Sequence, residues 1–287
     1  MASLRELKKR LRSVRSTGKL AGAMRTVATA KYGRVNTQRE AAAEYSAALA
    51  RLLSDAERAC PEGSASVDEE PFGDPARKGK PVYVLVSSNR GLCGGYNHEL
   101  FAFFAETVKK GGFETVACGR MAREYCREKG IPVIREFDIP DVPEFAVSSE
   151  MARYLSELYE GGAENVSFVC QKPRNMLSRE PAVIGFLPEG SGGGKEGEEE
   201  PPARDLLFVP DAETVLRRLV PAGRAFRVHG ILTDCAAGAA AATLIAMRSA
   251  FDSSAEQATA LETMINRKRQ AEITGSVIET ASDMNRQ

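Results

Sequence analysis

All fourteen prolines of this chain fall between Pro61 and Pro221, so about sixty residues at either end are free of the residue that most reliably breaks a helix. The ends are therefore predicted to be built differently from the middle. At 1.5 Å per residue, an unbroken helix over 3–58 would run roughly 80 Å and one over 222–284 roughly 95 Å. Neither length fits inside an ordinary globular domain.

The apolar pattern says how such helices are satisfied. In the first segment apolar or small residues recur at Leu4, Leu7, Leu11, Val14, Gly18, Ala21, Ala28, Tyr32 and Val35, in steps of three and four interrupted only near Met24 and Arg25. Near the other end Leu244, Met247, Phe251, Ser254, Ala258, Leu261 and Ile265 hold the same register, and upstream Leu232, Cys235, Ala239, Ala242 and Ala246 continue it with smaller side chains. A 3.5-residue repeat is the period of a left-handed coiled coil. Each helix buries one stripe and draws its stability from packing it. The two ends are accordingly expected to pair antiparallel, with Gly18, Ala21 and Ala28 meeting the small run 236–242. The alternative, two separate helical bundles, has the same periodicity.

Between the ends the pattern changes. Residues 61–80, rich in Pro, Gly, Ser and charge, read as a linker. Strands are expected over 82–86, 114–118, 133–137, 166–171 and 181–187, and helices over 99–109, 120–129 and 149–159. Such alternation predicts a Rossmann-like α/β domain with a largely parallel sheet over 81–210. Within it, 189–203 is low-complexity and acidic and reads as a flexible surface loop. A short helix over 211–220 is expected to stop at Pro221, opening the C-terminal coiled-coil segment 211–287; the N-terminal one is 1–60. The fold class is thus α/β, with a long antiparallel coiled coil of the terminal helices.

The net charge is zero, which excludes the chain as a whole from binding polyanions by bulk charge, yet the start is strongly basic. Arg5, Lys8, Lys9, Arg10, Arg12, Arg15, Lys19, Arg25, Lys31, Arg34 and Arg39 face only Glu6. That face suits either an acidic protein surface or a nucleic-acid backbone, the latter with steep salt dependence. The cysteines show no C-x-x-C spacing and read as free thiols of a reducing compartment. No apolar run is expected to reach the roughly eighteen residues that cross a bilayer.

The stretch Arg90-Gly91-Leu92-Cys93-Gly94-Gly95-Tyr96-Asn97 follows a strand and precedes a helix, where phosphate-binding loops sit. It matches neither G-x-x-x-x-G-K-[ST] nor G-x-G-x-x-G, and it brings no lysine for a phosphate and no acid for magnesium. Cys93 lies near His98, but Cys-His catalysis needs an orienting third group that the sequence does not identify. His98 and His229 have no ligand cluster, and Glu262, Glu272 and Glu279 read as a solvated helix face. No catalytic residue, metal or cofactor is predicted.

Three stretches together resemble the gamma subunit of the F-type ATP synthase. The start, Leu4-Arg5-x-Leu7-Lys8-x-Arg10-Leu11-x-Ser13-Val14-x-Ser16-Thr17-x-Lys19-Leu20-x-x-Ala23-Met24-x-x-Val27-Ala28-x-Ala30-Lys31, is similar to that family's first helix. Arg90 to Asn97 resembles its R-G-L-C-G-G-x-N loop. Ala246-Met247-x-x-Ala250, Leu261 and Asn266-x-x-Arg269-Gln270-Ala271-x-Ile273-Thr274 resemble its last helix.

The resemblance implies a non-catalytic rotor shaft that carries torque between a membrane c-ring and a hexamer of alpha and beta subunits, in ATP synthesis driven by a proton or sodium gradient. It implies alpha, beta, epsilon and the c-ring as partners, with no nucleic acid and no direct membrane insertion. It places Lys19, Met24, Arg25, Asn266, Arg269 and Gln270 at the contact with beta, and leaves Arg90, Gly91, Leu92, Cys93, Gly94, Gly95 and Asn97 as a family signature. It further implies a bacterial complex, peripheral on the cytoplasmic face of the inner membrane in the F1 sector, with no removable leader. The alternative is a coiled-coil nucleic-acid-binding or scaffold protein acting through the basic helix; a weaker one is a nucleotide-dependent α/β enzyme using the 90–97 loop. Gly18, Ala239 and Thr243 depart from the family's pattern, as does Gly275 in the last turns, where glycine is about 1 kcal/mol worse than alanine in a helix.

Overall fold

The computed structural model describes residues 3–59, 79–108, 111–175, 178–188 and 206–284, with side chains to residue 278. Most of the expected linker 61–80 and the whole acidic loop 189–203 lie outside the described residues. The element order is α1 (Leu4–Ala59), β1 (Val82–Val86), α2 (Tyr96–Thr107), β2 (Glu114–Cys118), α3 (Arg120–Lys129), β3 (Val133–Phe137), α4 (Phe145–Glu160), β4 (Val166–Pro173), β5 (Arg179–Leu187) and α5 (Ala212–Met284). The chain divides into two compact units, one of residues 1–29 with 243–287 and one of residues 30–242.

In the first unit the start of α1 and the end of α5 pair antiparallel. A Cβ on Gly18 would lie 3.2 Å from Ser254 Cβ, one on Gly22 would lie 3.3 Å from the Phe251 ring, and Arg15 meets Glu262 at 2.6 Å. As the α1 number rises the α5 number falls. Ala21 and Ala28 on α1, with Met247 and Leu261 on α5, are buried. Small residues at the seam are what let two helix backbones approach this closely.

The second unit is a three-layer α/β domain. The five-stranded sheet has the order β3-β2-β1-β4-β5, parallel except for β5, which runs antiparallel to β4. Residues alternate between faces, as the strand period requires. Val82, Val84, Val86, Phe168 and Cys170 face α4 and α5, meeting Met151, Leu155, Tyr159, Val228, Ile231 and Leu232. Leu85, Ala117 and Val169 face α2 and α3, meeting Leu100, Phe104, Ala122 and Cys126. The rest of α1 packs along α5 in this unit: Tyr45 lies on Phe226 with ring centroids 4.1 Å apart, Leu53 packs at Gly223, and Val35, Ala42, Leu49 and Ala56 are buried at seven-residue intervals.

Two sequence expectations are corrected. Pro221 does not end a short helix; it lies inside α5, which is continuous from Ala212 to Met284. Proline removes one backbone donor and crowds the preceding turn, but Leu216 before it and Ala225 after it are both buried, so tertiary packing secures helix on either side. Secondly, α5 does contain an 18-residue window long and apolar enough to cross a membrane, with mean hydropathy 1.5, and 56% of that window is buried within the protein. Much of this apolar character comes from the alanines between Ala236 and Ala246, whose small side chains serve packing.

The five cysteines among the described residues, Cys93, Cys118, Cys126, Cys170 and Cys235, are free and buried. Burial pushes the Cys126 thiol up to about 11, followed by the influence of Glu136, and desolvation raises Cys118 further. Such thiols are poor nucleophiles, since the thiolate is the reactive form.

Candidate functional site

The sheet order places a topological switch between β1 and β4: the chain moves outward through β2 and β3, then returns to the other side of β1. In open α/β sheets ligands bind at the carboxyl ends of strands flanking such a switch. The Arg90–Asn97 turn leaves β1 at that point. Its own hydrogen bonds close it. Asn97 Nδ2 donates to Ser88 Oγ at 2.7 Å and to Cys93 Sγ at 3.4 Å, while Asn97 Oδ1 accepts from Ser88 N at 3.3 Å. Ser88 Oγ in turn donates to the Arg90 carbonyl at 2.7 Å. The chain reverses through Leu92 at φ 64° and Gly94 at φ 59°, the left-handed region that glycine enters freely and leucine at a cost.

What the turn faces is protein. Cys93 and Tyr96 pack against Ala239 and Ala242 of α5, and the Tyr96 hydroxyl donates to the Cys235 carbonyl at 3.0 Å. Desolvation leads the causes that hold the Tyr96 phenol well above its usual pKa, so it stays a donor at neutral pH. Gln171 Nε2 reaches the Tyr96 carbonyl at 3.1 Å and lies 3.5 Å from Glu99 Oε2. Glu99 stands in the first turn of α2, where a phosphate would need positive potential. Arg90 is 75% exposed at its side chain, and its guanidinium lies 3.8 Å from Asp141. Asp141 pairs more closely with Lys31 of α1 at 2.8 Å. Burial opposes ionisation of that carboxyl, but the Lys31 hydrogen bond and charge, with Arg90, bring its pKa below the usual value. The loop therefore joins sheet, α1 and α5, and the phosphate-cradle reading of it loses its geometry.

The residues expected at a protein contact lie in the other unit. Lys19, Asn266, Arg269 and Gln270 are exposed, and Met24 and Arg25 are half-buried. The Arg25 guanidinium sits 4.9 Å from the centre of the Phe251 ring, a cation–π contact that ties it to the α5 surface. The antiparallel register sets residues 19–25 opposite about 248–254 and brings Leu4 opposite about residue 270. Asn266 to Gln270 thus lie roughly 20–35 Å along the axis from Lys19, Met24 and Arg25 at 1.5 Å per residue. The six residues form two separate groups. Beyond residue 270, α5 has outrun the start of α1, and residues 271–278 are all exposed, among them Ile273, Val277 and Ile278.

Sequence reasoning missed the contacts that seat α5. His229, buried, has Nδ1 3.0 Å from Ser148 Oγ and Nε2 3.3 Å from Gln38 Nε2. Gln38 Nε2 also donates to the Pro143 carbonyl at 2.7 Å, and Ser148 Oγ to the Glu144 carbonyl at 3.3 Å. These roles assign a neutral imidazole with its proton on Nδ1. Burial lowers its pKa in agreement. Arg227 donates to the Gly185 and Phe186 carbonyls of β5 at 2.5 and 3.2 Å. His229 with Arg224 and Arg227, in a helix stretch that is otherwise mostly small and apolar, was the sequence signal for them. Among the described residues no group of three or more His, Cys, Asp or Glu is placed to hold a metal ion.

Comparison with known proteins agrees along the whole chain. Residues 3–285 match the family described as ATP synthase. The chain is 32% identical over 285 residues to the ATP synthase gamma chain of Moorella thermoacetica, covering 97% of each. It is 29% identical over 287 residues to that of Rubrobacter xylanophilus, covering 98% of this chain and 97% of the relative. Among solved structures it is similar to a chain of the Euglena gracilis mitochondrial ATP synthase (OSCP/F1/c-ring, rotational state 3), with TM-score 0.66 at 14% identity, covering 98% of this chain and 93% of that one. A chain of the rotor of the same organism's enzyme gives TM-score 0.61 at 13% identity.

Proposed function

The chain belongs to the ATP synthase family as a gamma chain, and from that premise we propose that it is the central-stalk rotor of an F-type enzyme, turning with a membrane c-ring inside a hexamer of alpha and beta subunits. The catalytic sites lie in beta. This chain is a non-catalytic subunit, and the nucleic-acid or scaffold alternative falls away with the family match over residues 3–285. The observation that carries the rotor reading is the antiparallel pairing of the two ends of one polypeptide, at Gly18 with Ser254 and at Arg15 with Glu262. A pair of packed helices resists bending and twisting better than one, and its surface differs from side to side. Each orientation then makes different contacts with open and closed beta conformations and shifts their populations, which couples rotation to nucleotide affinity.

Lys19, Met24 and Arg25 form one candidate contact with beta, and Asn266, Arg269 and Gln270 the other; Lys19, Asn266, Arg269 and Gln270 are exposed, which leaves their polar groups available. Positive charge on the outer face of α1 suits acidic partner loops by steering contact without holding it permanently. Residues 1–60 and 211–287 act as the shaft, 61–80 as the linker and 81–210 as the foot, beside epsilon and the c-ring. The chain is part of the peripheral F1 sector of a membrane complex, and its proposed place is the cytoplasmic face of a bacterial inner membrane. The test is purification from its source: the chain should be recovered with alpha and beta at one to three. A stable hexamer whose ATPase behaviour and subunit content ignore this chain would refute the assignment.

A further inference from the structure

The apolar contact between α5 and the sheet, through Val228, Ile231 and Leu232, is broad but without direction, because hydrophobic burial depends on area and not on orientation. Three polar contacts along the same stretch are directional: Arg227 to the β5 carbonyls, His229 with Ser148, and the Cys235 carbonyl with Tyr96. They span about 12 Å of helix axis at 1.5 Å per residue.

Of these, Tyr96 is the most tightly held. It is fully buried, and its ring lies 3.6 Å from where a Cβ on Gly238 would stand, with Ala239 and Ala242 beside it. Glycine and alanine at those positions make the recess that admits the ring. On the other side the sheet grips it: Gln171 of β4 donates to its carbonyl, and the Arg179 guanidinium at the start of β5 lies 5.6 Å from its ring centroid. Its one hydroxyl reaches a carbonyl in the interior of α5. Turning the helix by about 100° in place would carry that carbonyl away from the hydroxyl, whereas a screw shift by one residue would bring the next carbonyl to it but take Arg227 and His229 from their partners, so the three contacts together fix the register.

We propose that Tyr96 is the latch that sets the axial register of α5 on the α/β sheet, and so the positioning residue through which the sheet passes torque into the C-terminal helix. This deepens the rotor reading and rests on it. Arg227 is the second point of the same attachment, anchored to β5 where Tyr96 is anchored between β1 and β4.

The test is the full chain carrying Tyr96→Phe, which keeps the ring in its recess and removes only the hydroxyl, assembled with its partner subunits in lipid vesicles. ATP hydrolysis and ATP-driven charge movement, read with a membrane-potential dye, are measured on the same preparation and normalised to assembled complex. Losing one neutral hydrogen bond shifts the balance between registered and slipped helix by roughly fivefold. Hydrolysis is expected to hold while charge moved per ATP falls, by at most that roughly fivefold factor, and the double variant with Arg227→Met is expected to fall further. A merely structural role would lower hydrolysis and pumping together, or reduce the amount assembled at an unchanged ratio, and either result overturns the latch. If the unaltered chain pumps and Tyr96→Phe pumps equally per ATP, the latch alone is overturned. If the unaltered chain restores no pumping, the rotor reading fails and the latch with it.

Discussion

Val27 and Val35 lie eight residues apart on α1 and differ in one respect: Val35 is fully buried and Val27 is 63% exposed. Replacing each by alanine separates helix propensity from packing. At Val35 two methyl groups leave the interior, about 1.6 kcal/mol of transfer at 0.8 per carbon. The hole they leave adds roughly 1 kcal/mol if it relaxes only in part. Alanine's better helix propensity returns about 0.5 kcal/mol. The net loss at Val35 is therefore about 2 kcal/mol, or about 4–8 °C in melting temperature for a protein of this size. At Val27 only the propensity term remains, and the isolated chain should gain about 0.5 kcal/mol. Urea unfolding of the full chain followed by circular dichroism measures both, the slope reporting whether the transition keeps its character. Equal losses from the two variants would mean that α1 does not bury the stripe assigned to it, and the coiled-coil argument would fail.

Glycines on α1 supply a second contrast. Nothing lies within 4 Å of a Cβ on Gly33, so Gly33→Ala should stabilise by about 1 kcal/mol, whereas Gly18→Ala must push Ser254 back from 3.2 Å and should gain clearly less, as thermal melts of both variants would show. Acid should weaken the protein through His229: with its pKa lowered by burial, its contribution is complete above the unfolded value near 6.5 and is lost as pH falls below it, by up to 1.36 kcal/mol per pH unit until the folded pKa is reached. Asp234, raised first by burial, acts in the opposite sense at lower pH, so the difference between wild-type and His229→Gln denaturation curves isolates the histidine. Arg269→Ala should leave the isolated chain within about 0.5 kcal/mol of wild type because the side chain is exposed. In the assembled enzyme it should slow ATP hydrolysis roughly tenfold, the effect of losing one charge-assisted hydrogen bond; unchanged turnover would remove Arg269 from the beta contact.

Much of this architecture was legible in one dimension because it depends on local periodicity. The absence of proline from both ends, the three-four spacing from Leu4 to Val35, and the β-branched runs at 82–86 and 114–118 each follow from rules that act within one element. The observed strands at Val82–Val86, Glu114–Cys118 and Val133–Phe137 have the expected bounds, whereas α4 begins at Phe145 instead of 149 and β5 at Arg179 instead of 181. Pro221 was misread for the same reason that the rest was readable. The local rule says stop, and packing on either side, with Leu216 and Ala225 buried and Tyr45 on Phe226, favours a continuous helix.

The candidate site divides along the same line. The sequence by itself determined the family, through R-G-L-C-G-G-x-N and N-x-x-R-Q-A-x-I-T, together with a helical pair and an α/β middle. Only the tertiary structure decided what the signature turn does, since Tyr96 and Cys235 are far apart along the chain and meet by a hydroxyl and a main-chain carbonyl, a group every residue carries and no residue type announces. The same holds for Gln38, Ser148 and His229, which become one network only when α1, α4 and α5 are packed together. Periodicity is written residue by residue, whereas partnership across a fold depends on distances that exist only after the chain has closed on itself.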